Sequence, residues 1–162
     1  MEKMSWNLVE KNIIETIDFL KNNILLSPYK QNDAIKCSEC IFRQISILIV
    51  SGRVKVRKIK YKQNSIWNYG KYFYETNRKN HGAEWHNSLI RIIEEYFTSH
   101  NYSVSVEPSL HYGRSDLGVK QMNLYIEVGT INIYKLLINL LNMNDCKIAI
   151  VPSDDYLLEF IL

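Results

Sequence analysis

Two carboxylates that interrupt short apolar segments place the strongest constraint on how this chain folds. Asp116 opens the segment 116–119, directly after a Gly-Arg-Ser turn signal, and Glu127 lies inside the apolar segment 124–128. Both segments have the length and composition of buried β-strands. Because a charge inside an apolar strand is costly unless it is paired or bound to a metal ion, each carboxylate needs a partner. One divalent cation shared by Asp116 and Glu127 would satisfy both.

The composition is that of a globular protein. The 162 residues suffice for one ordinary domain or two small ones, and 46% hydrophobic residues with three Pro and six Gly indicate a packed core. No apolar run reaches the roughly 18 residues of a membrane span, and the N-terminus has no signal-peptide pattern. Three cysteines, an odd number, argue against a disulfide framework. We therefore expect a cytoplasmic protein with no membrane association.

The net charge of +3 conceals an asymmetry between the two halves of the chain. Residues 1–80 contain 15 Lys and Arg against 7 Asp and Glu, and residues 81–162 contain 5 against 10, so balances of +8 and −5 give +3. A basic half next to an acidic half favours a polyanion-binding module joined to a module whose carboxylates have another task. Alternatively, both halves carry ordinary solvated faces.

The first half predicts helices followed by a basic hairpin. Apolar spacing predicts a helix over 6–25, Asn32-Asp33 could cap a short second helix, and a third runs from Ser38 to Ser51-Gly52. Basic and apolar residues then alternate over 53–62, which predicts a half-buried strand, and 66–74 would be the returning strand. This order of elements resembles a winged helix-turn-helix domain, which would span residues 1–78.

The winged-helix resemblance implies DNA binding. In such domains the recognition helix enters the major groove and the wing contacts the DNA backbone or minor groove. Phosphate contacts of this kind supply affinity rather than sequence discrimination. Alternatively, the basic strand is an edge strand that its lysines protect from aggregation. The cations expected at the DNA are Arg43, Arg53, Lys55, Arg57, Lys58, Lys60 and Lys62.

The second half, residues 79–162, predicts the order α-β-β-β-α-β followed by a last apolar segment. This order, with Gly113-x-x-Asp116 on the second strand and Glu127 on the third, resembles the PD-(D/E)XK nuclease superfamily, which has the restriction-endonuclease-like fold. The resemblance covers about residues 81–151. It implies an α/β (α+β) domain that binds Mg²⁺ (or Mn²⁺) and hydrolyses DNA phosphodiester bonds. Asp116 and Glu127 match the metal-binding acids, the Val128 carbonyl would be a further ligand, and Glu84 matches a position where many members carry another acid.

The chain departs from the superfamily at the motif lysine. The lysine expected two residues after the second acid is replaced by Gly129. A lysine there would polarise the attacking water or neutralise developing charge. Some members recruit the cation from the following helix, so Lys135 is the expected catalytic substitute; alternatively, it is an ordinary solvated lysine. His81 and His86 flank Glu84 and could contact metal or phosphate.

Simpler interpretations also exist for individual residues. Asp116 could be a turn residue, and Glu127 could be salt-bridged to Arg114. Cys37-x-x-Cys40 predicts helical core cysteines, because zinc requires four ligands and Cys146 is the only other cysteine.

Three functions are compatible with these patterns. The first is a Mg²⁺-dependent endonuclease or exonuclease that acts on DNA, and the second is a catalytically inactive DNA-binding protein or transcriptional regulator. The third is a protein-interaction module that docks through the aromatic residues Trp67, Tyr69, Tyr72 and Tyr74. A homodimer would suit cleavage of two strands. The sequence leaves the oligomeric state, the DNA substrate and the pathway open.

Overall fold

A computed structural model of the chain describes residues 6–26, 38–60, 83–152 and 156–162. The described helices are α1 (Trp6–Asn23), α2 (Ser38–Val50), α3 (Ala83–Ser99) and α4 (Ile133–Asn142). The described strands are β1 (Lys55–Lys60), β2 (Val104–Val106), β3 (Leu117–Val119), β4 (Leu124–Val128), β5 (Lys147–Val151) and β6 (Tyr156–Ile161). None of these helices is long and apolar enough to cross a membrane. The predicted order α-β-β-β-α-β is observed from α3 to β5.

The described strands form one mixed sheet in the order β1-β6-β5-β4-β3-β2. Strands β4 and β5 are parallel, and every other neighbouring pair is antiparallel. A parallel pair requires a crossover connection, which α4 provides. The chain is therefore a mixed α/β protein, as the sequence predicts.

The two faces of the sheet pack against different helices. Helices α1, α2 and α4 share a core with β5 and β6 that includes Phe42, Leu136 and Phe160. Helix α3 covers the other face, where Leu89 packs with the β3 and β4 side chains Leu117 and Ile126. Because side chains alternate along a strand, residues 124, 126 and 128 of β4 face α3, and residues 125 and 127 face α4.

The position of β1 differs from the predicted wing of a separate domain. Strand β1 pairs along its whole length with β6, from Lys55 opposite Ile161 to Lys60 opposite Tyr156. Val54 is buried in the same core as α4, and Val56 packs against it. A free two-stranded hairpin is marginally stable in water, whereas pairing with β6 satisfies the backbone groups of β1 that face β6. The described residues before and after residue 78 thus share a sheet and a core. The predicted returning strand 66–74 and the helix after Asn32 lie outside the described residues.

Candidate active site

Asp116 and Glu127 come together at one end of β3 and β4. Asp116 directly precedes β3, and its amide donates a 3.0 Å hydrogen bond to the carbonyl of Ile126, the neighbour of Glu127 on β4. The two acids are close enough for the charge of Asp116 to raise the pKa of Glu127. Asp116 Oδ2 accepts a hydrogen bond from the Val128 amide at 2.7 Å, which turns this carboxylate towards β4. The structure therefore brings together the two acids that the sequence singles out.

Lys135 reaches this pair of acids from the first turn of α4. Its Nζ lies 2.5 Å from Glu127 Oε1, and only 18% of the lysine side chain and 9% of the glutamate side chain are exposed. The ammonium also donates a hydrogen bond to the carbonyl of Arg114. Lys135 is thus held at the carboxylates and is not a solvated helix lysine.

The start of α4 explains how Lys135 is presented. Asn132 caps the helix, and its side-chain oxygen accepts hydrogen bonds from the amides of Tyr134 at 3.0 Å and Lys135 at 3.1 Å. This cap fixes Lys135 as the third residue of the helix, on the turn that faces Glu127.

The electrostatic state of Glu127 reflects its burial. Burial raises the pKa of Glu127, Lys135 opposes this rise, and the charge of Asp116 adds to it, so that the net shift is upward. The buried Oε1 atom is neutralised by the Lys135 ammonium at 2.5 Å, so a metal ion bound to this oxygen would compete with the lysine.

The backbone explains why residue 129 is glycine. Gly129 has a φ of +83°, in the left-handed region that favours glycine. Its amide donates a 2.7 Å hydrogen bond to the carbonyl of Val151, which anchors the end of β4 to β5. A Cβ atom at residue 129 would lie 3.3 Å from Cζ3 of Trp85 on α3. A lysine at this position would therefore be strained and would press on Trp85.

His86, on α3, adds a further ionisable group beside Asp116. Its Nε2 lies 3.4 Å from Asp116 Oδ2, so the protonated imidazole would form an ion pair with this acid. The sequence indicated a metal or phosphate contact for His86, and the structure places it beside a predicted metal ligand. His81 lies outside the described residues.

The acids present fit a magnesium ion. Mg²⁺ is usually bound by one or two carboxylates together with water and substrate phosphate oxygens, which Asp116 and Glu127 can provide. The described residues contain no group of three or more His, Cys, Asp and Glu side chains arranged to hold a metal ion. Glu84 is exposed on the first turn of α3 and does not extend the pair to such a group. The metal-binding roles of Glu84 and the Val128 carbonyl stay predictions.

Several predicted DNA-binding cations have intramolecular partners instead. Arg43 forms an ion pair with Glu10, and Arg57 forms one with Glu159. Arg53 donates a hydrogen bond to the Leu141 carbonyl, and Lys58 donates one to the side-chain oxygen of Asn23. Lys58 also lies over the ring of Tyr156, 3.8 Å from its centroid. These contacts link neighbouring elements of the fold, and Lys55 and Lys60 are exposed on β1. Lys62 lies outside the described residues.

Two of the simpler interpretations are wrong. Arg114 pairs with Glu107 at 3.3 Å, so it is not the partner of Glu127. Cys40 is exposed on α2 and is not a core residue, whereas Cys146 is buried. Cys37 lies outside the described residues.

Asn139 was missed as a functional candidate in the sequence. This buried side chain accepts a hydrogen bond from the Tyr112 amide at 2.8 Å and donates to the carbonyls of Tyr112 at 3.0 Å and Lys135 at 2.9 Å. It is a polar residue inside the apolar stripe of α4, between Leu136 and Leu140. An unexpected polar residue on a core-facing stripe is the signal that could have identified it.

Comparison with known proteins gave no match to a protein-family model, a curated protein or a solved structure.

Proposed function

We propose that this chain is a metal-dependent deoxyribonuclease of the restriction-endonuclease-like type. The observation that carries the proposal is the position of the Lys135 ammonium, 2.5 Å from Glu127 Oε1. Asp116 lies just before β3 and accepts a hydrogen bond from the Val128 amide of β4, so two acids and one cation converge at one end of β3 and β4. This is the set of groups needed to hold a hard divalent cation next to a phosphate.

The element order supports the nuclease proposal. From α3 to β5 the chain follows α-β-β-β-α-β, with antiparallel β2-β3-β4 and a parallel β4–β5 pair. Asp116 directly precedes the second strand of this unit and Glu127 lies on the third, in the order that the resemblance to the superfamily implies. The substitute cation comes from the helix that follows the third strand.

The residues have separable roles in this proposal. A bound Mg²⁺ or Mn²⁺ would stabilise charge on the scissile phosphate and lower the pKa of a bound water. Asp116 and Glu127 would hold this ion. Lys135 would keep a positive charge where negative charge develops on the phosphate, and its fixed position avoids reorganisation during the reaction.

The sheet register places part of the basic strand at the same end as the acids. Glu127, Ile150, Leu158 and Lys58 form one row across β4, β5, β6 and β1. With strands about 4.8 Å apart, β1 lies about 14 Å from β4. Lys60, which is exposed, is the last residue of β1 and lies at the end of the sheet that holds the acids. A duplex whose major groove is about 12 Å wide could contact both places at once.

The proposal is tested by cleavage of duplex, single-stranded and branched DNA in the presence of Mg²⁺ or Mn²⁺. We expect cleavage of at least one substrate, and its loss with EDTA and in the Asp116→Asn and Glu127→Gln variants. Asp145→Asn is the matched control, because Asp145 lies in the exposed turn before β5. No cleavage of any of the three substrates by the unmodified protein would refute the proposal.

A second candidate is a catalytically inactive DNA-binding protein or transcriptional regulator. It is favoured by the same ion pair, because Lys135 neutralises an acid that a metal ion would need. This candidate predicts salt-sensitive DNA binding without cleavage or metal uptake. Titration calorimetry with Mg²⁺ or Mn²⁺ decides between the two candidates. Metal binding by the unmodified protein that disappears in Asp116→Asn would contradict the inactive DNA-binding protein. The aromatic residues of the proposed protein-docking surface lie outside the described residues.

A further inference from the structure

The loop that joins β2 to β3 folds back as a hairpin, here called the tip hairpin (residues 107–116). Its backbone is closed by hydrogen bonds from the Glu107 amide to the Asp116 carbonyl at 3.0 Å, from Ser115 to Pro108 at 3.1 Å and from Leu110 to Gly113 at 2.9 Å. The tip hairpin thus carries Asp116 at its base, and the carbonyl of Arg114 accepts a hydrogen bond from Lys135. Its position therefore affects an acid and the cation together.

Asn139 fastens the tip hairpin to α4. It is 1% exposed. Its amide nitrogen uses both of its donors, one on the Tyr112 carbonyl and one on the Lys135 carbonyl, and its oxygen accepts from the Tyr112 amide. A buried amide with all of these bonds formed specifies one arrangement, because a shifted hairpin would leave buried polar groups unpaired.

We propose, on the basis of the nuclease function proposed above, that Asn139 is a positioning residue that acts through Lys135. It holds the tip hairpin against α4 so that the Arg114 carbonyl and the Glu127 carboxylate together fix the Lys135 ammonium beside the acids. Asn139 itself does not reach the acids.

The need for such positioning follows from the chemistry of lysine. A lysine side chain has about 2 kcal/mol of rotamer entropy, so one charged partner does not define its conformation. The Arg114 carbonyl provides a second fixed acceptor. The lysine stem also runs beside Gly113, since a Cβ built on this glycine would lie 3.5 Å from Lys135 Cε. Both supports belong to the tip hairpin.

The first test follows the Lys135 side chain by NMR in protein with ¹³C-labelled lysine, with its signal assigned by loss in Lys135→Met. In the unmodified protein we expect a Cε signal displaced from those of exposed lysines, with restricted motion. Asn139→Ala should move this signal to the exposed-lysine position. Asn142→Ala is the matched control, because Asn142 lies on the same helix and donates to the Ile138 carbonyl at 2.7 Å but is exposed. A Lys135 signal that is unchanged in folded Asn139→Ala overturns the proposal.

A second variant keeps this test decisive if Asn139→Ala does not fold. Asn139→Leu keeps most of the buried side-chain volume on α4 but removes the three hydrogen bonds that Asn139 makes to the backbone. We expect it to move the Lys135 signal in the same direction. If the signal stays in place in this variant, Asn139 does not position the lysine.

The second test is a double-mutant cycle on cleavage. Asn139→Ala should lower kcat by about 10- to 100-fold with KM changed by less than about twofold, because misplacement of a catalytic group affects the transition state. In the Lys135→Met background, the same substitution should have almost no further effect, since its target is gone. Additive losses would show a purely structural role and overturn the proposal. Absence of cleavage in the unmodified protein would refute the nuclease function alone, because the NMR test does not depend on activity.

Discussion

The Lys135 ammonium lies 2.5 Å from Glu127 Oε1, although the two residues belong to different elements and are separated by the turn that contains Gly129. This distance places a cation beside a buried acid, with the lysine supplied by a helix. The turn makes this possible, because the left-handed Gly129 ends β4 and lets the chain enter α4 within four residues, 129–132.

Replacing Lys135 tests whether this cation takes part in cleavage. Lys135→Met keeps most of the buried stem and removes the charge, so we expect kcat to fall by about 10²- to 10³-fold, as for other groups that stabilise transition-state charge. DNA affinity should change little, because the ammonium is largely buried. Lys11→Met is the control, since Lys11 is exposed and pairs with Glu15 on α1. A kcat equal to that of the unmodified protein would show that the ion pair is only structural.

The raised pKa of Glu127 predicts a pH-dependent stability in metal-free protein. As the pH rises above the ordinary pKa of 4.5, Glu127 loses its proton in the unfolded chain but keeps it in the folded protein until the pH reaches the raised pKa. The free energy of unfolding therefore contains a contribution that falls as the pH rises through this range to the raised pKa. Glu127→Gln does not titrate and lacks this decline.

Urea unfolding in EDTA at several pH values measures this effect. The free energy of unfolding of Glu127→Gln, relative to the unmodified protein, should increase with pH above about 4.5. Glu107→Gln, which removes a carboxylate from an exposed ion pair, reports the effect of a lost surface charge. A difference between Glu127→Gln and the unmodified protein that is constant with pH contradicts the prediction.

The sequence predicted the elements better than their assembly. Helix periodicity located α1, α2 and α4 to within about two residues, because each has an apolar stripe that a core requires. The alternation at residues 53–62 correctly indicated a strand but not its partner, since pairing with β6 is a long-range contact that local pattern does not encode.

The candidate site shows the same division. Asp116 and Glu127 were recognisable because charges in apolar strands are rare, and Lys135 was indicated by the resemblance. For His86 the sequence indicated only a contact with metal or phosphate, and its proximity to Asp116 comes from the structure. Asn139 was missed because its partners are backbone groups, including those of a distant hairpin. Backbone partners leave no pattern in the sequence.

Restoring a lysine at residue 129 should not restore the site. In the Lys135→Met background, Gly129→Lys would place a side chain at a φ of +83°, against the Trp85 ring. We expect no recovery of cleavage and a loss of about 1–2 kcal/mol in unfolding free energy from the left-handed conformation, before the Trp85 contact is counted. At about 2–4 °C per kcal/mol for a protein of this size, Tm falls measurably.

Gly52→Lys is the matched control for this substitution. Gly52 has a similar φ of +78°, and a Cβ there would have no neighbour within 4 Å. The difference in Tm between the two variants therefore isolates the effect of the Trp85 contact. Cleavage by Gly129→Lys in the Lys135→Met background would show that the space beside Trp85 adapts and that the substitute cation is exchangeable.

The exposed cations of β1 make a prediction about DNA affinity. Lys55 and Lys60 are exposed, whereas Arg43 is paired with Glu10, so the lysines are better placed to contact phosphate. Each phosphate contact on duplex DNA contributes about 0.9 to the slope of log affinity against log salt concentration. In the Asp116→Asn background, Lys55→Gln and Lys60→Gln should each reduce this slope by about 0.9, and Arg43→Gln should leave it unchanged. Fluorescence anisotropy with a labelled duplex over a series of salt concentrations measures it. Equal slopes for all variants would mean that β1 is a charged sheet edge and that DNA is bound elsewhere.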